Sequence, residues 1–266
     1  MEFSTPRRPR IRARWLPGHW LEALLAFHAR QAGLVSVHGH NVLIGGLHAG
    51  AIVIDVGAHT GEFTRPLLRL GCTCYAVEPV AWLLAQLEDQ PGLRKFCRAI
   101  AATNGEVSLH LSRNPEANSV FDSIARRFGS AGTITTRSTT LAAFLDEVGI
   151  REVDVLKLDI EGSEVAVLES IPADLLARTG QISVEFHDLL EGFGEADTIR
   201  RVRRRLSRAG FRCLVLSRAS GHHGDTLFVN RRRTILPLGA RVNLFLMDRV
   251  TAPLRAGLHR LSTALR

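Results

Sequence analysis

From residue 51 onward, short apolar segments alternate with segments of helical periodicity, and this alternation restricts the possible folds more than any other feature of the chain. It is typical of a parallel sheet that helices cover on both faces. Seven apolar segments are predicted strands: Ala51–Val56, Thr73–Val77, Lys95–Ile100, Val153–Leu158, Gln181–Phe186, Phe211–Leu216 and Thr226–Val229. Five segments are predicted helices: Glu62–Leu70, Val80–Glu88, Leu141–Val148, Ser163–Glu169 and Ala196–Arg208. We therefore predict an α/β fold with a doubly wound, mostly parallel, seven-stranded sheet that ends in an antiparallel hairpin.

One long segment does not fit this alternation. Residues 112–138 are polar, contain Gly and Ser, and have no clear period. We predict a long loop over the carboxyl edge of the sheet, where loops often contact substrates.

The chain has 266 residues, of which 45% are hydrophobic and 23% are charged, as in folded globular proteins. Its net charge of +8 belongs to the ends, since residues 1–30 carry +4, residues 231–266 carry +7 and the residues between them carry −3. The predicted sheet is not basic, so we do not expect nucleic acid as a partner. We divide the chain into a basic N-terminal extension with a short helix (residues 1–50), a main domain (51–230) and a basic C-terminal extension (231–266).

The sequence also bears on location. No apolar stretch reaches about 18 residues, so we expect no transmembrane helix, although the basic ends leave peripheral membrane contact open. The apolar run Trp20–Phe27 is short and contains Glu22, which favours an extension over a leader peptide. The four cysteines form no C-x-x-C pair, which indicates a reduced, cytoplasmic location rather than a zinc site.

The first predicted strand runs into a glycine turn, in the segment VIDVGAHTG. In doubly wound sheets, the turn after the first strand approaches the ligand. A dinucleotide-binding turn would need glycine where His59 stands between Gly57 and Gly61, so an NAD-dependent oxidoreductase is the less favoured hypothesis. Glu78 ends the second strand, where its two oxygens can accept both hydroxyls of a ribose, and Asp55 can orient the turn. These residues predict a site for a nucleoside without a diphosphate.

Four segments, VIDVGAHTG, YAVEP, VDVLKLDIEGSEVAVLES and ISVEFHD, resemble in order and spacing the FkbM family of S-adenosylmethionine-dependent methyltransferases. The resemblance covers about residues 51–230, and K-x-D-x-E-G-x-E is its most specific motif. It implies a class I methyltransferase fold, S-adenosyl-L-methionine as cofactor, and a hydroxyl of a sugar-containing or other secondary-metabolite molecule as acceptor. We assign six residues to cofactor binding: Asp55, Gly57, Ala58, Gly61, Glu78 and Asp159.

Two positions depart from the family pattern. His59 stands where the family often has Asn, and Ala142 stands where an acidic residue often follows Thr-Leu. We therefore give no site role to the segment that begins at Thr140.

Methyl transfer to a hydroxyl requires alignment of the acceptor and removal of its proton. Lys157 and Asp159 share one face of a predicted strand, and Glu185 and His187 share a face of the next. If the strands are neighbours, these four candidate catalytic residues converge. His187 is the preferred general base, because an ordinary imidazole titrates near ~6.5 and accepts a proton at neutral pH. Glu164 lies in the first turn of the following helix and is predicted to be structural.

Two alternatives stay open. Asp159, Glu185 and His187 could instead hold a divalent ion that lowers the pKa of the acceptor, although we assign no metal ligand on sequence alone. The chain could also be a non-catalytic adenosylmethionine-fold module whose basic tails bind anionic membrane or nucleic acid. The acceptor and the oligomeric state have no legible signature in the sequence.

Overall fold

The computed structural model describes residues 19–114, 118–127, 129–187, 196–215 and 224–247, together with Arg249. Their contacts divide the chain into two compact units. One unit comprises the residues up to Val37, residues 42–46 and the residues from Ile235 onward, and the other comprises residues 38–41 and 47–234. Within the described part of the chain, no helix has the length and apolar character needed to cross a membrane.

The smaller unit is built from the two ends of the chain. Helix α1 (His19–Gln31) packs against the last described helix, Leu238–Leu246, and the His28 Nδ1 atom lies 2.7 Å from the Asn243 Oδ1 atom. Strands β1 (Leu34–Val37) and β2 (His40–Leu43) form a two-stranded hairpin that we did not predict, and the first two residues of β2, His40 and Asn41, belong to the larger unit.

The larger unit is organised around a seven-stranded sheet. Its strands are β3 (Ile52–Val56), β4 (Thr73–Val77), β5 (Leu93–Phe96), β9 (Val153–Leu158), β10 (Thr179–Phe186), β11 (Phe211–Val215) and β12 (Gly224–Asn230). They lie in the order β11-β12-β10-β9-β3-β4-β5, and neighbours are parallel except that β12 is antiparallel to both β10 and β11. The predicted fold class, with its terminal antiparallel hairpin, is confirmed.

Both faces of the sheet are covered. Side chains alternate between faces along a strand, yet four consecutive residues are buried in β3 (53–56) and four more in β9 (155–158). The main core takes alternate residues from β3, β4 and β10, such as Ile182, Val184 and Phe186 of β10. This burial explains why the strands appear in the sequence as apolar runs.

Seven helices connect the described strands of this unit: α2 (Thr64–Arg69), α3 (Ala81–Leu84), α4 (Asp122–Arg127), α5 (Leu141–Glu147), α6 (Glu164–Ser170), α7 (Ala173–Ala177) and α8 (Ala196–Arg208). The bounds of α8 are those predicted, because Val202 and Leu206 are buried on one face while the arginines of the other face reach solvent. Thr140 precedes α5 and its Oγ1 atom accepts a hydrogen bond from the Ala143 amide, so its role is to cap this helix.

Two predictions from the sequence are wrong. The predicted strand Lys95–Ile100 is divided, because the chain leaves β5 after Phe96 and Ala99–Ile100 (β6) joins a second sheet. In that sheet, β8 (Ser130–Thr139) pairs in parallel with β6 and antiparallel with β7 (Gly105–Ser112). The predicted loop over residues 112–138 therefore contains most of a strand as well as helix α4. Strand β8 has many exposed residues and lacks apolar alternation, whereas β7 alternates Val107, Leu109 and Leu111, a strand period that our prediction missed.

The sheet changes winding direction between β3 and β9. From β3 the chain proceeds to β4 on one side, whereas β9 and then β10 lie on the other side. Ligands of doubly wound sheets bind outside the carboxyl ends of the strands at such a point. Here those ends lead into Gly57 and Asp159.

We predict that Gly57→Ala destabilises the protein by at least about 2 kcal/mol more than Gly149→Ala. Both glycines have left-handed backbones, with φ of 75° and 73°, which an alanine adopts at a cost of about 1–2 kcal/mol. A Cβ atom on Gly57 would lie only 1.8 Å from the carbonyl oxygen of Asp159, whereas one on Gly149 meets open space. Urea denaturation of both variants measures the difference, and equal losses would contradict the prediction.

Candidate active site

A cavity of about 470 Å³ lies at the carboxyl ends of the strands. One part of its wall is formed by the turn after β3, with Gly57 and Ala58, and by Glu78 after β4. Another part is formed by ionisable residues at the ends of β9 and β10: Lys157, Asp159, Glu161, Glu185 and His187. The convergence predicted for the four candidate catalytic residues is thus observed, since β9 and β10 are neighbouring parallel strands.

The turn after β3 is held against β4 by main-chain hydrogen bonds. The amides of Gly57 and Ala58 both donate to the carbonyl oxygen of Val77, at 2.9 and 3.1 Å. His59 then adopts a left-handed backbone with φ of 50°. Asn tolerates this conformation better than most residues, which gives a physical reason for the asparagine that the family often has there.

Glu78 is buried beside this turn and lines the cavity. Its Oε2 atom accepts a hydrogen bond from the His59 amide at 3.0 Å, and its Oε1 atom accepts one from the Val80 amide at 2.9 Å. Burial raises the pKa of Glu78, although the hydrogen bonds from these two amides and the charge of Lys157 act to lower it. A carboxylate has about four lone-pair sites, so two remain for hydroxyl donors in the cavity. Glu78 therefore fits the diol of a ribose.

Asp55 and Gly61 do not line the cavity. Asp55 is fully buried, and its Oδ2 atom accepts a hydrogen bond from the Thr64 hydroxyl at 2.6 Å. A Cβ atom on Gly61 would lie 2.4 Å from a methyl group of Leu87. Both residues shape the turn from behind, so a direct contact of either with a cofactor stays a prediction.

Lys157 joins the strands at the point where the winding changes. Asp55 and Lys157 are opposite each other in the pairing of β3 with β9, and Lys157 Nζ lies 3.3 Å from Asp55 Oδ1. The same ammonium lies 3.4 Å from Asp159 Oδ2 and donates to the carbonyl oxygen of Gly57. Burial alone would lower the pKa of Lys157, but the two carboxylates raise it. The ion pair predicted with Asp159 is present, and the pair with Asp55 adds to it.

The ring of His187 contacts a buried carboxylate. Its Nδ1 atom lies 3.0 Å from Glu164 Oε1, and the Glu164 carboxylate also accepts hydrogen bonds from the amides of Ile160 and Gly162. Glu164 is fully buried, so its structural role includes positioning His187. We did not foresee this contact, because the two residues are 23 positions apart in the chain.

Three more carboxylates surround the other nitrogen of His187. Its Nε2 atom lies 3.4 Å from Glu161 Oε1, 3.9 Å from Asp159 Oδ1 and 3.9 Å from Glu185 Oε1. Burial alone would lower the pKa of His187, but the hydrogen bond to Glu164 and the surrounding carboxylates raise it to about 10. The ordinary imidazole pKa on which we based the choice of His187 as general base therefore does not apply here.

The neighbouring carboxyl groups differ in charge state. Burial raises the pKa of Glu161 to about 8, with Asp159 and other acids adding to the effect and His187 opposing it. Burial would also raise the pKa of Asp159, but Lys157, His40 and His187 lower it well below its usual range. Asp159 is consequently the permanently ionised member of the cluster.

His40, at the start of β2, is a site residue that the sequence did not reveal. Its Nε2 atom lies 3.2 Å from Asp159 Oδ2, and its ring meets the Phe63 ring edge to face at 5.7 Å. Two sets of ligand atoms each lie within 4.8 Å of one another: those of His40, Asp159 and Glu185, and those of Asp159, Glu161 and His187. His40 is one of several histidines in the N-terminal extension, and nothing in the sequence singles it out as a partner of Asp159.

Comparison with known proteins identifies a family. The model of the family described as "Methyltransferase FkbM domain" matches residues 55–213. A search of curated protein sequences found no match. Among solved structures, a TehB-like SAM-dependent methyltransferase from Corynebacterium glutamicum shares 13% identity over 81% of this chain and 100% of its own, with a TM-score of 0.37. Magnesium protoporphyrin IX methyltransferase from Synechocystis with bound SAM shares 12% sequence identity over 80% of this chain and 79% of its own, with a TM-score of 0.40. Aeropyrum pernix fibrillarin with natively bound S-adenosyl-L-methionine shares 12% sequence identity over 79% of this chain and 76% of its own, with a TM-score of 0.41.

We predict that Lys157→Met lowers the free energy of unfolding by about 3–5 kcal/mol, because it leaves the buried carboxylate of Asp55 without its cation. The other lysine of the chain provides a matched control. Lys95 pairs at 2.7 Å with Asp89, whose side chain is almost fully exposed, so Lys95→Met should cost no more than about 1 kcal/mol. Chemical denaturation of the two variants measures both free energies of unfolding. Similar losses would contradict the prediction that the buried ion pair contributes more to stability than the exposed one.

Proposed function

Because the chain belongs to the FkbM methyltransferase family, we propose that it transfers the methyl group of S-adenosylmethionine to a hydroxyl oxygen of a small-molecule acceptor, either sugar-containing or another secondary metabolite. One observation carries the proposal: a single cavity presents a ribose-type carboxylate beside a glycine turn, and a cluster of ionisable groups at the ends of β9 and β10. The first feature suits a nucleoside and the second suits an acceptor that must lose a proton.

The residues near the turn fit S-adenosylmethionine. Glu78 keeps two lone-pair sites for the ribose hydroxyls, and Gly57 leaves the backbone of the turn bare. Ile100 and Val107 give the same cavity apolar surface on which a purine can lie. When bound, the cofactor supplies a methyl group made electrophilic by the sulfonium that carries it.

The acceptor's hydroxyl would face the ionisable cluster. In-line displacement requires the attacking oxygen to be aligned with the S–CH₃ bond, and the cluster supplies several groups that can orient this oxygen by hydrogen bonds. The O–H bond breaks as the new O–CH₃ bond forms, and the cluster is where the proton would be received. We assign the orientation of this oxygen to Asp159 and His187, whose shifted pKa values make them poor proton acceptors at neutral pH, and the receipt of the proton to Glu185, with Lys157 as a positioning residue.

The location proposed is the cytoplasm. Cys72, Cys74, Cys97 and Cys213 are all free thiols, as expected in a reducing compartment. Peripheral membrane contact through the basic extensions stays a prediction, and residues 1–18 and most residues after Met247 lie outside the described ranges.

We predict that Glu78→Gln weakens the binding of S-adenosylhomocysteine at least tenfold, because the amide nitrogen of glutamine cannot accept hydrogen bonds from a ribose hydroxyl or from the backbone. Isothermal titration calorimetry measures the affinity. Glu62→Gln is the matched control, since Glu62 also lines the cavity but is bonded to Thr60. Unchanged affinity in Glu78→Gln, or binding of NAD in place of S-adenosylhomocysteine, would refute the assigned cofactor contact.

We predict that His187→Ala and Asp159→Asn each lower methyl transfer by about 10²–10⁴-fold while S-adenosylhomocysteine still binds, since a positioned acid or base contributes on this scale. The assay follows labelled methyl from S-adenosylmethionine into a panel of hydroxylated acceptors and identifies the methylated atom by mass spectrometry and NMR. Glu169→Gln, which removes a surface pair with Arg201, is the control. Transfer to nitrogen, or full turnover in both site variants, would overturn the proposal.

A further inference from the structure

We propose that the cluster at the ends of β9 and β10 binds one divalent cation, held by Nε2 of His187 and by one carboxylate oxygen from each of Asp159 and Glu161. The role of this ion rests on the proposed methyl transfer to a hydroxyl. Its binding rests on the arrangement of the three side chains alone.

The spacing of three ligand atoms suits a common centre. One ligand atom from each of Asp159, Glu161 and His187 lies within 4.8 Å of the other two, and the carboxylate oxygens of Asp159 and Glu161 lie 3.9 and 3.4 Å from His187 Nε2. Atoms that each lie about 2.0–2.2 Å from one ion are separated from each other by roughly 3.0–3.5 Å. Movement of these side chains toward one another would therefore bring the three atoms into coordination distance.

His187 is oriented as a metal-binding histidine is. Glu164 holds the Nδ1 atom at 3.0 Å, and the amides of Ile160 and Gly162 fix the Glu164 carboxylate in turn. A ligating histidine almost always gives its other ring nitrogen to a carboxylate, carbonyl or water, which sets the tautomer and the direction of the ring. This buried support is independent of the acidic residues in front of His187, and it directs Nε2 toward them.

The two carboxylate oxygens of Asp159 have different neighbours. The Oδ2 atom lies 3.4 Å from Lys157 Nζ and 3.2 Å from His40 Nε2. The Oδ1 atom is the one that faces His187. Asp159 can thus bind an ion through Oδ1 without losing its partners in the fold, and His40 acts as a positioning residue for this ligand.

The charges of the cluster favour a cation of charge two. Asp159, Glu161 and Glu185 converge on one nitrogen, and Glu164 lies directly behind it. The nearest lysine, Lys157, is shared with Asp55. Imidazole and carboxylate ligands without a thiolate suit ions such as Mn²⁺ or Mg²⁺ rather than thiophilic ones.

An ion with three protein ligands keeps further coordination positions for the acceptor. All three ligand residues line the cavity, so these positions open toward the proposed methyl donor. Two neighbouring oxygens of one molecule can fill two such positions at once. The acceptor class that fits is therefore a compound with vicinal hydroxyl groups, as sugars have.

The test uses Mn²⁺ alone as the probe, with the full-length protein in chelator-treated buffer. Electron paramagnetic resonance follows the loss of the free Mn²⁺ signal, and we expect one bound ion per chain. Glu161→Gln and His187→Ala should each weaken binding at least about 100-fold, and His40→Ala should weaken it about 10–100-fold as the loss of an outer support. Glu161→Gln preserves side-chain size, so it remains informative if His187→Ala fails to fold.

Glu78→Gln serves as the matched control and separates the two proposals. It should keep the Mn²⁺ affinity of the parent protein while its affinity for S-adenosylhomocysteine falls. Glu161→Gln should lose Mn²⁺ affinity and keep the S-adenosylhomocysteine affinity of the parent protein. No Mn²⁺ binding by the parent protein at millimolar concentration would overturn the ion site, as would binding that persists in both Glu161→Gln and His187→Ala. Loss of S-adenosylhomocysteine binding by the parent protein, with Mn²⁺ still bound, would overturn the proposed function and leave the ion site standing.

Discussion

The buried ammonium group of Lys157 is the interaction on which the rest of the site depends. A lone buried charge is costly, and here the cost is offset by Asp55 on the neighbouring strand, by Asp159 just after its own strand and by the carbonyl oxygen of Gly57. These three partners lie in or directly after the two strands between which the winding of the sheet reverses. The lysine therefore fixes the position of both turns that border the cavity.

The close approach of these turns leaves no room for a side chain on Gly57. The carbonyl oxygen of Asp159 occupies the place where a Cβ atom would be, so the requirement for glycine comes first from the packing of two strand ends. The same bare turn is then available to a ligand. One steric constraint thus serves the fold and the proposed cofactor site together.

Asp159 connects the buried ion pair of Lys157 to the cluster proposed to act on the acceptor. One of its oxygens is bound by Lys157 and His40, and the other faces His187 among Glu161 and Glu185. Because Glu164 holds His187 from behind, both Asp159 and His187 are positioned by buried neighbours. Such support is what a site needs if it is to orient an acceptor or hold an ion without rearrangement.

The sequence by itself determined the sheet, the glycine turn and the ionisable residues at the ends of β9 and β10, because buried parallel strands are apolar runs and the turn residues adjoin them in the chain. It did not reveal β8, whose exposed polar residues have no strand period, whereas the alternating Val107, Leu109 and Leu111 of β7 did indicate a strand that our prediction missed. Only the tertiary structure decided that His40 meets Asp159 across 119 positions, that Glu164 supports His187, and that the pKa of His187 rises to about 10. These outcomes depend on distance and burial in three dimensions, which local patterns of residue type do not encode.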